Sequence, residues 1–193
     1  MKIIGITGAS GAGKTTICTI LKQKYNAHII DADQIARNLS QKGNPYLKSI
    51  SDYFGEDILT ASGELQRKKL ANIIYENEEQ RTALNNITFK YVVEEIKQKI
   101  AELKNEKLVV IDAPLLYESN LDKICDYVIG VVATGESKIE RICKRDSIEQ
   151  DIAKKRLSIQ MKDEEIRKKV DYIIENNKEV KNLEEEIARL KIF

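Results

Sequence analysis

Gly8, Gly11 and Gly13 precede Lys14 and Thr15 with the spacing G-x-x-x-x-G-K-T, which is the spacing of a phosphate cradle. Glycines let the backbone wrap closely enough for peptide N–H groups to face phosphate oxygens. A helix opening near Lys14 would turn the positive end of its dipole to the same place. In such a loop the lysine reaches the β- and γ-phosphates of a nucleotide, and the threonine hydroxyl ligates Mg²⁺. A nucleotide site is therefore read from Gly8, Gly11, Gly13, Lys14 and Thr15. The loop leaves open whether the nucleotide is a switch, a fuel or a phosphoryl donor.

Carboxylates supply the second half of a transfer chemistry. Two apolar runs end in acid: "HIIDAD" delivers Asp31 and Asp33, and "LVVIDAPLLYE" delivers Asp112 and Glu118. In an open parallel sheet, ligands bind beyond the carboxyl ends of the strands, so these acids belong to the edge that carries the glycine loop. Asp31 can bind a magnesium-bound water or cap the next helix. Asp33 can be an N-cap, or it can orient and deprotonate an acceptor hydroxyl as acidic residues do in kinases. Asp112 can hold Mg²⁺ or orient its own loop. Lys138, Arg141 and Arg145 share one face of a helical segment. That face is either solvated or closes over a transferring phosphoryl group.

These residues need elements to hold them. Apolar runs at Ile3–Ile6, His28–Ile30, Leu108–Ile111, Val128–Val132 and Asp171–Glu175 read as strands buried on both faces of a parallel sheet. Helical segments are expected over Lys14–Lys24, Gln34–Gln41, Pro45–Phe54, Gln66–Tyr75 and Glu78–Lys104. Further segments follow over Ser137–Lys144, Glu149–Met161, Asp163–Lys169 and Val180–Lys191. The alternation predicts an α/β fold with a five-stranded parallel sheet flanked by helices. One domain is expected. Its core is about 1–31, 107–136 and 170–193, with a helical acceptor-binding insertion at about 32–106 and a helical lid at about 137–169. The last helix repeats Val180, Leu183, Ile187 and Leu190, the spacing of one buried stripe.

Composition narrows the partners. Lys plus Arg is 32 and Asp plus Glu is 31, without the basic excess of a general nucleic-acid binder. Cys18, Cys125 and Cys143 are widely spaced, which argues against a disulfide framework or a zinc cluster and suits packing in a reducing cytosol. His28, the one histidine, reads as a tolerated strand position. No run approaches the ~20 apolar residues of a membrane span. "MK" leading directly into "IIGITG" is too short a lead for a signal peptide. The expected address is the cytoplasm, with no membrane, nucleic-acid or obligate protein partner.

The order of "GITGASGAGKTT", "IIDADQIAR", "GNP", "FGEDIL", "GELQRKKL", "DAPLLYE", "ERICKRD", "KRLSIQM" and "DYIIENN" resembles the dephospho-coenzyme A kinase family over Ile3 to Asn177. The resemblance implies a P-loop kinase core, a helical CoA-binding region and a lid. It also implies ATP-dependent transfer to the ribose 3′-hydroxyl of dephospho-CoA, the last step of coenzyme A synthesis, with Mg²⁺. Carried onto this chain, Gly11 to Thr16 hold ATP, Asp33 is the base, and Arg141 and Arg145 come from the lid. Asp31, Arg37, Arg67 and Glu118 lie on the acceptor side, and Asn176 lies near the adenine. Two other readings are a nucleoside or nucleotide kinase with another acceptor and a non-catalytic nucleotide-dependent switch. The family usually carries His-Pro after "LNNI"; this chain has Phe89-Lys90, and losing proline lets the long helix run on.

Overall fold

The computed structural model describes residues 1–177 and 180–193, except for the side chains of 180–182. The chain divides into two compact units, one formed by Met1–Asp31 with Glu102–Phe193 and the other by Ala32–Ala101.

The first unit is built on a parallel sheet of five strands among the described residues, in the order β2-β3-β1-β4-β5. The strands are β1 (Lys2–Thr7), β2 (His28–Asp31), β3 (Leu108–Asp112), β4 (Tyr127–Val132) and β5 (Tyr172–Glu175). Every pairing is parallel. Strand β1 lies between β3 and β4; the crossover from β1 to β2 runs to one side of it, and the crossover from β3 to β4 runs to the other. Its carboxyl end is therefore a topological switch point, where such sheets take their ligands.

Alternation along the strands sorts the core. Ile4, Ile6, Val110, Ile129, Val131 and Ile174 face α1 (Lys14–Tyr25), which contributes Ile17, Ile20 and Leu21. The last helix adds Leu183 and Ile187 to the same cluster. Two members of the expected stripe are thus buried, Leu190 packs against the cluster, and the Val180 side chain lies outside the described residues. Gly5 and Gly130 point to the opposite face, where a Cβ would lie 2.8 Å from Leu116 and 2.7 Å from Ile166. Burial on both faces is what the near-continuous apolar runs demand. Each fully enclosed isoleucine stabilises the fold by ~1.5–3 kcal/mol.

Three helices follow β4: α6 (Gly135–Asp146), α7 (Gln150–Ser158) and α8 (Asp163–Lys169). The expected helix over Glu149–Met161 ends three residues early, because Gln160 and Met161 leave it to line a small cavity with Gly8, Ala9, Pro114 and Leu115. The Glu149 side chain makes no capping bond, and the helix starts at Gln150.

The second unit is helical: α2 (Ala32–Leu39), α3 (Pro45–Phe54), α4 (Arg67–Glu76) and α5 (Glu78–Glu102, whose last residue lies past the unit). Asn44 caps α3 by accepting from Tyr46 N at 2.9 Å, and Pro45 takes the first-turn position that tolerates it. Its core joins Tyr46, Ile50, Ile58 and Leu70 with Leu84, Ile87 and Tyr91. Helix α5 runs through Phe89-Lys90 without a break, as the absence of proline allows.

Candidate active site

The glycine loop leaves β1 at Thr7 and enters α1 through Gly13, whose φ of 101° lies in the left-handed region. A Cβ there would stand 1.8 Å from Asn176 Nδ2, and one on Gly11 (φ +75°) would stand 2.5 Å from the Lys138 carbonyl. Both positions combine a left-handed backbone with a wall of neighbouring atoms, so only glycine fits.

The loop's carbonyls are held from outside. Asn176 Nδ2 donates to Ala12 O at 2.8 Å, and Arg141 Nη1 donates to Gly11 O at 3.1 Å and Ala12 O at 3.4 Å. Arg141 Nη2 donates to Asn176 O at 3.0 Å, so one guanidinium joins the loop to the end of β5. A trans peptide directs its N–H opposite its C=O. Fixing the Ala12 carbonyl therefore turns the Gly13 N–H to the other side, the orientation an anion cradle needs. Lys14 Nζ donates to Gly8 O at 2.8 Å, which keeps the ammonium beside the loop backbone. Thr15 is exposed in the first turn of α1.

Strand register brings two acids together. Asp112 pairs with Ile6 of β1 on one side and with Asp31 of β2 on the other. In-register residues of parallel strands project from the same face, so the two carboxylates share one face of the sheet, Asp112 next to the strand that feeds the loop and Asp31 one strand further out. Cys18 Sγ donates to Asp112 Oδ2 at 3.6 Å. Burial of Cys18, with the negative charge of Asp112 beside it, raises the thiol pKa and keeps it protonated.

Helices α6 to α8 are tied by charge. Lys138 Nζ lies 2.9 Å from both carboxylate oxygens of Asp163, with both side chains largely covered. Asp146 accepts from Arg145 Nε at 2.7 Å and Nη2 at 2.9 Å, and also from Arg156 of α7. The hydrogen bond from Arg145 holds Asp146 at about 2, aided by Arg156 and opposed by partial burial. Tyr117 donates to Lys169 O at 2.7 Å, and burial raises it to about 12. Glu118 is exposed, and partial desolvation of its carboxyl group raises its pKa.

Inside the helical unit, a cavity of about 240 Å³ is lined by Asp33, Arg37, Ser40, Tyr46, Arg67 and Leu84, among others. Arg67 Nη2 donates to the buried Ser40 Oγ at 2.6 Å, and Ser40 Oγ donates to Arg37 O at 2.8 Å. A wall with two arginines and a carboxylate suits an anionic or hydroxyl-bearing ligand. Helix α2 begins immediately after β2, so the cap position falls on Asp31 and Asp33 stands exposed in the first turn.

Several sequence-predicted residues sit where other roles are visible. Arg141 braces the loop backbone while Arg145 grips Asp146, so the two do not present one paired surface. Asn176 is 6% exposed and supports the loop from beneath. His28 opens β2 in an exposed position. Ser40, Asp146, Arg156 and Gln160 carry no distinct signal in one sequence, since each acquires its importance from a partner 10 to 150 residues away.

A phosphate loop at the switch point of a 2-3-1-4-5 parallel sheet, with acids at neighbouring strand ends, defines a P-loop kinase. A family model described as dephospho-CoA kinase matches residues 2–182. A dephospho-CoA kinase of Fusobacterium nucleatum is 38% identical over 187 residues, covering 97% of this chain and 95% of its own. Among solved structures, a Thermus thermophilus protein superposes with a TM-score of 0.80 at 25% identity, covering 98% of this chain and 95% of its own. A dephospho-CoA kinase from Campylobacter jejuni gives 0.68 at 27% identity, covering 98% and 96%. The chain belongs to the dephospho-CoA kinase family. Its reaction is the ATP-dependent phosphorylation of dephospho-CoA in coenzyme A biosynthesis. Among the described residues, no helix is long and apolar enough to cross a membrane.

Proposed function

We propose that the reaction divides between the two units, with ATP bound by the sheet unit and the acceptor by the helical one. The carrying observation is that Asp112 stands in register beside the strand that enters the glycine loop, with Asp31 in register beyond it on β2. Gly8, Gly11, Ala12, Gly13, Lys14, Thr15 and Thr16 hold the triphosphate through backbone N–H groups, the lysine ammonium and the threonine hydroxyl. Arg141 and Asn176 act on ATP through the loop they brace. Arg145 supplies positive charge to the transferring group, and the segment 137–169 excludes water from it.

The donor set fits a small hard cation. The Thr15 hydroxyl and the Asp112 carboxylate offer oxygen, and no cluster of three or more His, Cys, Asp or Glu side chains suited to a metal occurs among the described residues. That pattern suits Mg²⁺, which is held by one or two protein oxygens with phosphate oxygens and water completing the shell. When bound, Mg²⁺ neutralises developing charge on the phosphate oxygens.

Asp33 accepts the proton of the ribose 3′-hydroxyl of dephospho-CoA as that oxygen attacks the γ-phosphorus and ADP leaves. Arg37 and Arg67 engage the acceptor's anionic groups in the cavity they line. The enzyme works in the cytoplasm and needs no nucleic acid, membrane or obligate protein partner. Initial rates for Arg67→Ala with ATP and dephospho-CoA varied in turn test the division. An increased KM for dephospho-CoA with KM for ATP within about twofold supports it, because removing one charged hydrogen bond costs ~1.5–3 kcal/mol at its own ligand. An increased KM for ATP alone would overturn it.

A further inference from the structure

Gln160 has no part in the roles assigned above, yet it makes a two-point contact with the glycine loop. Ser10 N donates to Gln160 Oε1 at 2.8 Å, and Gln160 Nε2 donates to Ser10 Oγ at 3.1 Å. Both ends of one planar amide are thereby engaged by a single residue, which fixes the amide's orientation as well as its position. Gln160 is half-buried and is held in its turn by donating its own N–H to Leu157 O at 3.2 Å. Helix α7 stops at Ser158, two residues before the glutamine.

The contact falls on a peptide unit that is held from its other end too. The Ala9 carbonyl accepts from Ala12 N at 3.1 Å and from Lys14 Nζ at 3.5 Å, while the N–H of the same peptide goes to Gln160. The Ser10 amide is therefore directed outward to a side chain. The left-handed turn at Gly11 follows at once, and the inward-facing N–H of Gly13 lies three residues beyond Ser10.

We propose that Gln160 is a positioning residue for the nucleotide. It holds the entry to the phosphate loop in its anion-binding shape and ties that shape to the segment joining α7 and α8. The proposal rests on the reading that this loop holds ATP. It adds a residue that touches neither phosphate nor acceptor and acts through Ser10.

The test uses the full-length enzyme with Gln160→Met, which keeps the side-chain length and removes the amide, and Gln160→Ala in case methionine disturbs folding. Calorimetric titration with ADP is paired with steady-state kinetics in both substrates and with thermal unfolding. The expected result is about a tenfold weaker ADP affinity and a matching rise in KM for ATP, the scale of one amide hydrogen bond. KM for dephospho-CoA stays within about twofold and the unfolding midpoint moves little. Ser10→Ala, which removes only the Oγ contact, gives a smaller loss and adds nothing in the Gln160→Met background. Unchanged ADP affinity in both variants would overturn the proposal. So would equal losses for the two substrates accompanied by a lower unfolding midpoint, which mark a merely structural residue. ADP titration needs no acceptor, so it judges Gln160 separately from the assignment of the loop. If wild-type enzyme binds no ADP, the loop assignment fails; if it binds ADP and the variants match it, only Gln160 fails.

Discussion

The thiol of Cys18 lies 3.6 Å from Asp112 Oδ2 and donates to it. The contact links the first helix after the phosphate loop to the carboxylate at the end of β3. Cys18 is 5% exposed, and burial followed by the charge of Asp112 raises its pKa. A protonated, covered thiol is a poor nucleophile. Native enzyme treated with iodoacetamide at pH 8 should leave Cys18 unmodified by peptide mass spectrometry. Cys125, which burial raises to about 12, should also resist. Denatured enzyme should label both, and rapid native labelling of Cys18 would contradict the contact.

Asn176 supports the loop from the end of β5, and its amide is buried against the Ala12 carbonyl. Asn176→Ala removes the donor and leaves the carbonyl under-satisfied, at a cost of ~1–3 kcal/mol. Urea unfolding should show a lower midpoint with an unchanged slope. Asn176→Asp should cost more, since a carboxylate oxygen would then face a carbonyl oxygen. Equal stability of wild type and Asn176→Asp would contradict the support role.

Asp146 gives a pH signature. Its folded pKa of about 2 lies below the ordinary value of 3.8, because Arg145 and then Arg156 donate to it. A depressed carboxylate stabilises the fold above its unfolded pKa and loses that contribution as pH falls toward the folded value. The stability difference between wild type and Asp146→Asn should thus be full above about pH 5 and vanish near pH 2. The size should be about 1 kcal/mol or less, because the pair is partly solvated. Thermal unfolding at a series of pH values checks the sign. A difference that grows on acidification would contradict it.

How much of this was readable from the sequence depends on how local each cause is. The strands and most helices follow from period and capping, which act within a few residues. Asn44-Pro45 marks the start of α3, and Phe89-Lys90 in place of His-Pro foretells an unbroken α5. The phosphate loop is equally local, since its spacing is its mechanism. The pairing of Asp31 with Asp112 follows only from strand order, which places β3 between β2 and β1. The end of α7 was not readable at all. No Gly or Pro follows Ser158, and the helix yields to a contact between Gln160 and a residue 150 positions earlier. Arg141 and Arg145 looked equivalent by spacing, but one meets backbone carbonyls and the other meets Asp146. Tertiary partners separate them.

Asp33 carries the central claim, as the group that accepts the acceptor's proton. The direct measurement is rapid-quench formation of coenzyme A by Asp33→Asn under saturating ATP and dephospho-CoA, paired with titration of ATP into the same variant. The account predicts ATP affinity within about threefold of wild type and transfer slowed by about 10²–10⁴-fold, the range for loss of a general base. Transfer within about tenfold of wild type, with ATP affinity intact, would contradict it and leave Asp33 as a residue of the first turn of α2 with no part in proton transfer.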